Sequence, residues 1–149
     1  MNPLVVGAVF VGLVAVATVI GVVLRAREGR VHEVHRFRKV TPDELGLEAR
    51  FGSFATLVQF SSEFCTKCPA TRDLLAKAAD DTRGIKHVDI DITHRPDIAN
   101  SFNILQTPTT LVLDETGAIA ARIGGAPRPD AISSALDIAL RRDHDLYFI

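Results

Sequence analysis

The stretch Ser61–Ala79 reads SSEFCTKCPATRDLLAKAA and holds both cysteines of the chain, Cys65 and Cys68, with two residues between them. Before it, Phe54–Phe60 (FATLVQF) is mostly apolar and β-prone, at a length suited to a buried strand. After the cysteines, Leu74, Leu75, Ala78 and Ala79 recur at helical spacing. Cys65 therefore falls just after a strand and just before a helix. The start of a helix offers unpaired N–H groups and about half a positive charge, and both favour a thiolate there. Lys67 adds a second positive charge inside the motif. A cysteine one turn further on can attack a mixed disulfide formed by the first, so the spacing supplies an attacker and a resolver. Three readings stay open at this point: a redox pair, half of a zinc site, or two inert neighbours. A zinc site needs further ligands, and the downstream candidates His87 and His94 give spacings longer than those of common fingers.

Working outward, TPDELGLEARFG from Thr41 predicts a short helix, with Thr41 as N-cap, Pro42 at the first helical position and Glu44 at the capping-box position. Ile85–Ile92 (IKHVDIDI) reads as a strand and RPDIANSFN as a short helix opening at Pro96. TTLVLDETGAIAARIGG predicts two strands joined at Glu115-Thr116-Gly117. Ile132, Ala135, Leu136 and Ala139 share one face of a C-terminal helix. The order is helix, strand, helix, strand, helix, strand, strand, helix. The fold class is α/β, with a mixed central sheet covered by helices on both faces.

The chain has 149 residues and a formal net charge of −1, enough for one ordinary domain and an appendage. The appendage is Pro3–Leu24, PLVVGAVFVGLVAVATVIGVVL, which carries no charge and spans about 33 Å as a helix against a hydrocarbon core of ~30 Å. A cleaved signal peptide is one rival reading, with Ala15-Val16-Ala17 as its cleavage site. It lacks a positive n-region, and the apolar run continues past Ala17. A buried soluble helix is the other rival, and no polar face supports it. The sequence thus divides into a transmembrane anchor at 1–25, a basic linker at 26–40 that trails along the membrane surface, and a domain at 41–149. Between residues 25 and 39 six basic side chains face two acidic ones. The positive-inside rule places the domain in the cytoplasm, and an extracytoplasmic domain is the alternative. The remainder is mildly acidic, which suits no nucleic acid.

The domain resembles the thioredoxin-like family. The resemblance covers about 41–142 and rests on LVQFSSEFCTKC, VDIDITHRPDIANSFNI, QTPTTLVLDETG and RIGG, in that order. It implies a thioredoxin-like fold with Cys65-Thr66-Lys67-Cys68 as the redox motif. It also implies a cis-proline loop at Thr107-Pro108 that lends its backbone to a bound substrate chain. No bound cofactor and no metal are implied, because electrons move through protein thiols and disulfides and a redox partner of the same chemistry. The sequence departs from the family pattern in four places. Phe64 stands where Trp is usual, with the expected role of shielding the pair. Thr66-Lys67 replaces Gly-Pro. Gln59 stands where a buried Asp shuttles a proton, and Asp73 near the usual kinking proline. Lys67 and the helix start together predict a couple more oxidising than the about −270 mV of thioredoxin.

The function expected is therefore a membrane-anchored thiol–disulfide oxidoreductase in which Cys65 exchanges and Cys68 resolves. A non-catalytic binding or redox-sensing module is the alternative. The histidines are scattered. Asp89 and Asp91 share a strand face, as a cation site or as solvated charges. Gly124-Gly125 reads as a bend beside the active site, and the tail RRDHDLYFI either folds back or frays.

Overall fold

The computed structural model describes residues 2–34, 38–48 and 50–146, with side chains through residue 141. After the long helix α1 (Pro3–Arg27) come β1 (Val31–Glu33), a 3-10 turn (Asp43–Leu45), β2 (Ala55–Ser61), α2 (Cys68–Asp80), β3 (Ile85–Asp91), α3 (Pro96–Ser101), β4 (Thr109–Asp114), β5 (Ile119–Gly124) and α4 (Pro129–Leu146). The five strands form one sheet in the order β1-β5-β4-β2-β3. Only β2 and β3 run parallel; the other neighbours are antiparallel. This is the mixed sheet expected, and α2 is the crossover between its parallel pair.

All of β2 is buried, and its alternating side chains build two cores. Ala55 and Leu57 join Leu75 and Ala79 of α2 and Ile132, Ala135, Leu136 and Ala139 of α4 on one face. Val58 and Phe60 join Ile98 and Phe102 from the α3 segment, and Val40 and Leu45 from the 3-10 segment, on the other. The helical faces expected for α2 and α4 are the buried ones. Gln59 shares the parity of Ala55 and Leu57, so it lies on the α2 side.

The turn between β4 and β5 forms where Glu115-Thr116-Gly117 stands. Asp114 accepts from the Thr116 amide (2.9 Å) and the Ala118 amide (3.0 Å) and holds the hairpin closed. Gly117 has φ +81°, and a Cβ there would lie 2.6 Å from the Val40 carbonyl oxygen, so only glycine fits.

Two expectations are corrected. The basic linker does not trail along the membrane surface over its whole length: Val31, His32 and Glu33 pair with Ile123, Arg122 and Ala121 and cover the edge of β5. A three-residue strand is too short to show a period, and its register comes from the strand it meets. The helix expected from Thr41 is only a three-residue 3-10 turn capped by Pro42, without a side-chain cap. Thr41 Oγ1 meets Glu44 Oε1 (3.3 Å) instead, and Gly46 at φ +69° ends the turn. The tail beyond 146 lies outside the described residues.

His87 gives the fold a pH dependence. Its ring is half-buried on β3, and Nε2 has no hydrogen-bond partner among the described residues. Burial holds its pKa below 6.5; Asp89 opposes this and Arg72 adds to it. The unfolded chain therefore binds more protons just below pH 6.5, so stability is full above that value and declines as pH falls toward the lowered native value. Glu28, Asp91 and Asp97, also held low, contribute only at more acidic pH. Urea unfolding of detergent-solubilised protein between about pH 7 and pH 5 should show this loss, and His87→Gln should flatten it. Equal pH slopes in the two proteins would contradict the assignment.

Candidate functional site

β2 ends at Ser61, and the chain turns over Ser62–Lys67 before α2 begins at Cys68. The turn closes with the Cys65 amide on the Ser62 carbonyl (3.1 Å) and the Cys68 amide on the Cys65 carbonyl (3.3 Å). Thr71 completes the first helical turn, donating its amide (3.1 Å) and its hydroxyl (3.0 Å) to the Lys67 carbonyl. Pro69 lies in this first turn, where its missing N–H is no loss.

Cys65 and Cys68 are joined by a disulfide, with S–S 2.10 Å and Cα–Cα 5.4 Å. The two sulfurs have different surroundings. Cys65 is partly exposed, while Cys68 is 2% exposed. An external thiol or disulfide can therefore reach Cys65 and is screened from Cys68. Among the described residues no group of three or more His, Cys, Asp or Glu is placed to hold a metal ion. His87 lies in β3 and His94 in the loop after it.

Gln59, fully buried, donates Nε2 to the Cys68 carbonyl (3.0 Å) and ties β2 to the start of α2. Its Oε1 has no partner among the described residues. It cannot ionise, so it holds Cys68 in place without offering a proton.

Thr107 and Pro108 lie just before β4, at the end of the sheet where β2 finishes. Ser62 Oγ lies 3.3 Å from Thr107 Oγ1 and links the cysteine turn to this loop. The Thr107–Pro108 peptide bond is cis, and the Pro108 carbonyl accepts from the Gly125 amide (2.8 Å). The RIGG bend thus braces the proline loop, as its place beside the active site implied.

Two residues behave differently from the sequence reading. Phe64 does not shield the pair: it is 81% exposed, because it sits in the solvent-facing turn between Ser62 and Cys65. Lys67 is not an unopposed cation. Its Nζ meets Glu28 Oε2 at 2.8 Å, and this pairing holds the Glu28 carboxyl below its ordinary pKa. The prediction of a more oxidising couple therefore loses much of its Lys67 contribution and leans on the helix start. Glu28 lies 39 residues upstream in the linker, and no local signal pairs it with Lys67. Thr66 and Asp73 are exposed. On the Asp89–Asp91 face, Asp89 Oδ2 accepts from Arg72 Nε (2.8 Å) while its Oδ1 has no hydrogen-bond partner among the described residues, and Asp91 accepts from the Thr93 amide (2.8 Å).

Comparison with known proteins agrees with this geometry. The thioredoxin family model matches residues 47–138. Thioredoxin from Mycolicibacterium smegmatis is 30% identical over 105 residues, covering 68% of this chain and 92% of that protein. Thioredoxin C-2 from Corynebacterium nephridii is 32% identical over 73 residues, covering 48% of this chain and 68% of that protein. Among solved structures, a single-site mutant of a thioredoxin from Halobacterium salinarum superposes with a TM-score of 0.52 at 16% identity. It covers 59% of this chain and 76% of the other. That likeness concerns the fold alone. With a C-x-x-C disulfide just beyond the end of β2 and a family match across both cysteines and the proline loop, the chain belongs to the thioredoxin family.

Proposed function

We propose that this protein is a membrane-anchored thiol–disulfide oxidoreductase that exchanges disulfides with protein clients through Cys65. The observation that carries the reading is the disulfide between an accessible Cys65 and a screened Cys68. In the reducing direction, the Cys65 thiolate attacks one sulfur of a client disulfide. That S–S bond breaks, and the first client sulfur leaves as a thiolate that takes up a proton. The Cys68 thiolate then attacks Cys65 Sγ, closes the Cys65–Cys68 disulfide and releases the second client thiol. Two electrons pass from the pair to the client, and the reverse sequence oxidises a dithiol. A dithiol partner restores the starting state, and no bound cofactor enters.

Lys67 and the start of α2 favour the thiolate at Cys65, with Glu28 moderating Lys67. Thr107 and Pro108 form the wall against which an extended client segment lies. Gln59 holds the Cys68 end, and Phe64 and Thr66 line the approach. The membrane anchor is α1, which has 25 residues, an 18-residue stretch of mean hydropathy 2.7 and no buried residue. Arg25, Arg27 and Arg30 at its end favour a cytoplasmic domain. Proteolysis of the domain from outside intact cells would reverse that orientation.

A second reading, a non-turnover redox-sensing module, draws on Gln59, which removes the proton shuttle beside Cys68. Reduction of insulin by the detergent-solubilised protein in the presence of dithiothreitol separates the two. The enzyme reading expects Cys65→Ser to lose activity and Cys68→Ser to accumulate a client mixed disulfide. Equal rates in Cys65→Ser and the parent would establish the module.

The Glu28–Lys67 pair yields a further expectation. Glu28→Gln leaves Lys67 unopposed and stabilises the reduced thiolate. The reduction potential should become less negative by about 10–20 mV, and by less at high salt. An unchanged or more negative potential at low salt would show that the pair does not tune the couple.

A further inference from the structure

The strand directions place the end of α1 beside the disulfide. β2 ends at Ser61, next to the cysteine turn, and antiparallel β4 starts at that same edge of the sheet, just after Pro108. β5 runs back to finish there at Gly124, and β1 starts there at Val31. The apolar helix therefore joins the domain at the edge that carries Cys65 and Cys68.

The joint is short and tied down. α1 ends at Arg27 and β1 begins at Val31. The Gly29 amide donates to the Gly124 carbonyl (2.8 Å), and Glu28 pairs with Lys67 (2.8 Å). Gly29 has φ +71°, and a Cβ there would lie 2.6 Å from the Ala126 carbonyl oxygen, so the chain can pass this closely only as glycine. Gly125, whose amide braces Pro108, sits against Glu28. The redox motif lies two side-chain lengths from the end of the helix. At the same edge two large apolar side chains stand free: Phe64 at 81% exposure and Leu105 at 85%. Arg25, Arg27 and Arg30 flank the joint along the chain and are exposed. Exposed aromatic and aliphatic side chains, together with arginines at the joint, suit an anionic headgroup layer.

We propose that the Cys65–Cys68 edge faces the bilayer surface and that the clients of this site are cysteine pairs held at headgroup level by integral membrane proteins. The inference rests on α1 being a membrane anchor. A soluble client must enter the gap between this edge and the lipid, whereas a juxtamembrane disulfide is already there.

The test uses the full chain reconstituted in phosphatidylcholine–phosphatidylglycerol vesicles. The chain contains no Trp, so a single introduced Trp reports its own depth. Bromine-labelled lipid should quench Leu105→Trp at least about threefold more than Phe54→Trp, which marks the opposite end of β2. Two single-pass peptides then serve as substrates at equal density. One carries its disulfide at headgroup level, and the other carries it raised by a rigid helical spacer of ~30 Å. The parent should reduce the first at least about threefold faster, and a flexible Gly-Ser insertion between Glu28 and Gly29 should abolish the preference. Equal quenching at the two positions, or equal rates for the two peptides with the parent, overturns the orientation while leaving the anchor intact. Failure of the chain to float with the vesicles overturns the anchor and the orientation together.

Discussion

The turn from Ser61 to Cys68 is held by a few hydrogen bonds, and the chemistry of the sulfur pair depends on them. Two backbone bonds close the turn, Thr71 locks the first turn of α2 onto Lys67, and Gln59 fastens the Cys68 carbonyl to β2. Because β2 is buried along its whole length, the turn stands on a fully enclosed element of the sheet. The consequence is an inequality between the two sulfurs. Cys68 is buried at the first position of α2, and Cys65 is partly exposed. Disulfide exchange needs such a difference, since one sulfur must meet a client and the other must wait for the mixed disulfide.

Gln59 shows how the site departs from the pattern its motif resembles. A carboxyl group in that buried place would titrate and would feel the charge of Cys68. The amide does neither, yet keeps the hydrogen bond that positions the helix start. Structural support and proton transfer are therefore separated here.

Most of the scaffold is legible in the sequence, because burial imposes period. Leu75 and Ala79 on α2, Ile132, Ala135, Leu136 and Ala139 on α4, and the apolar run of β2 carry that signal directly, and all belong to the two cores. The cysteine turn and the β4–β5 hairpin are legible through residue type. What stays hidden depends on contacts between distant segments. β1 has three residues and borrows its register from β5. The turn after Thr41 stops at Gly46 despite a favourable opening. The Glu28–Lys67 and Ser62–Thr107 pairs join segments 39 and 45 residues apart. Phe64 misleads because its type suggests burial and its place in a surface turn forbids it.

The claim at the centre of this account is the unequal accessibility of the two sulfurs, and timed alkylation of the reduced protein followed by peptide mass spectrometry measures it directly. The account predicts that Cys65 is modified at least about tenfold faster than Cys68 at neutral pH. Equal rates, or faster modification of Cys68, would contradict it.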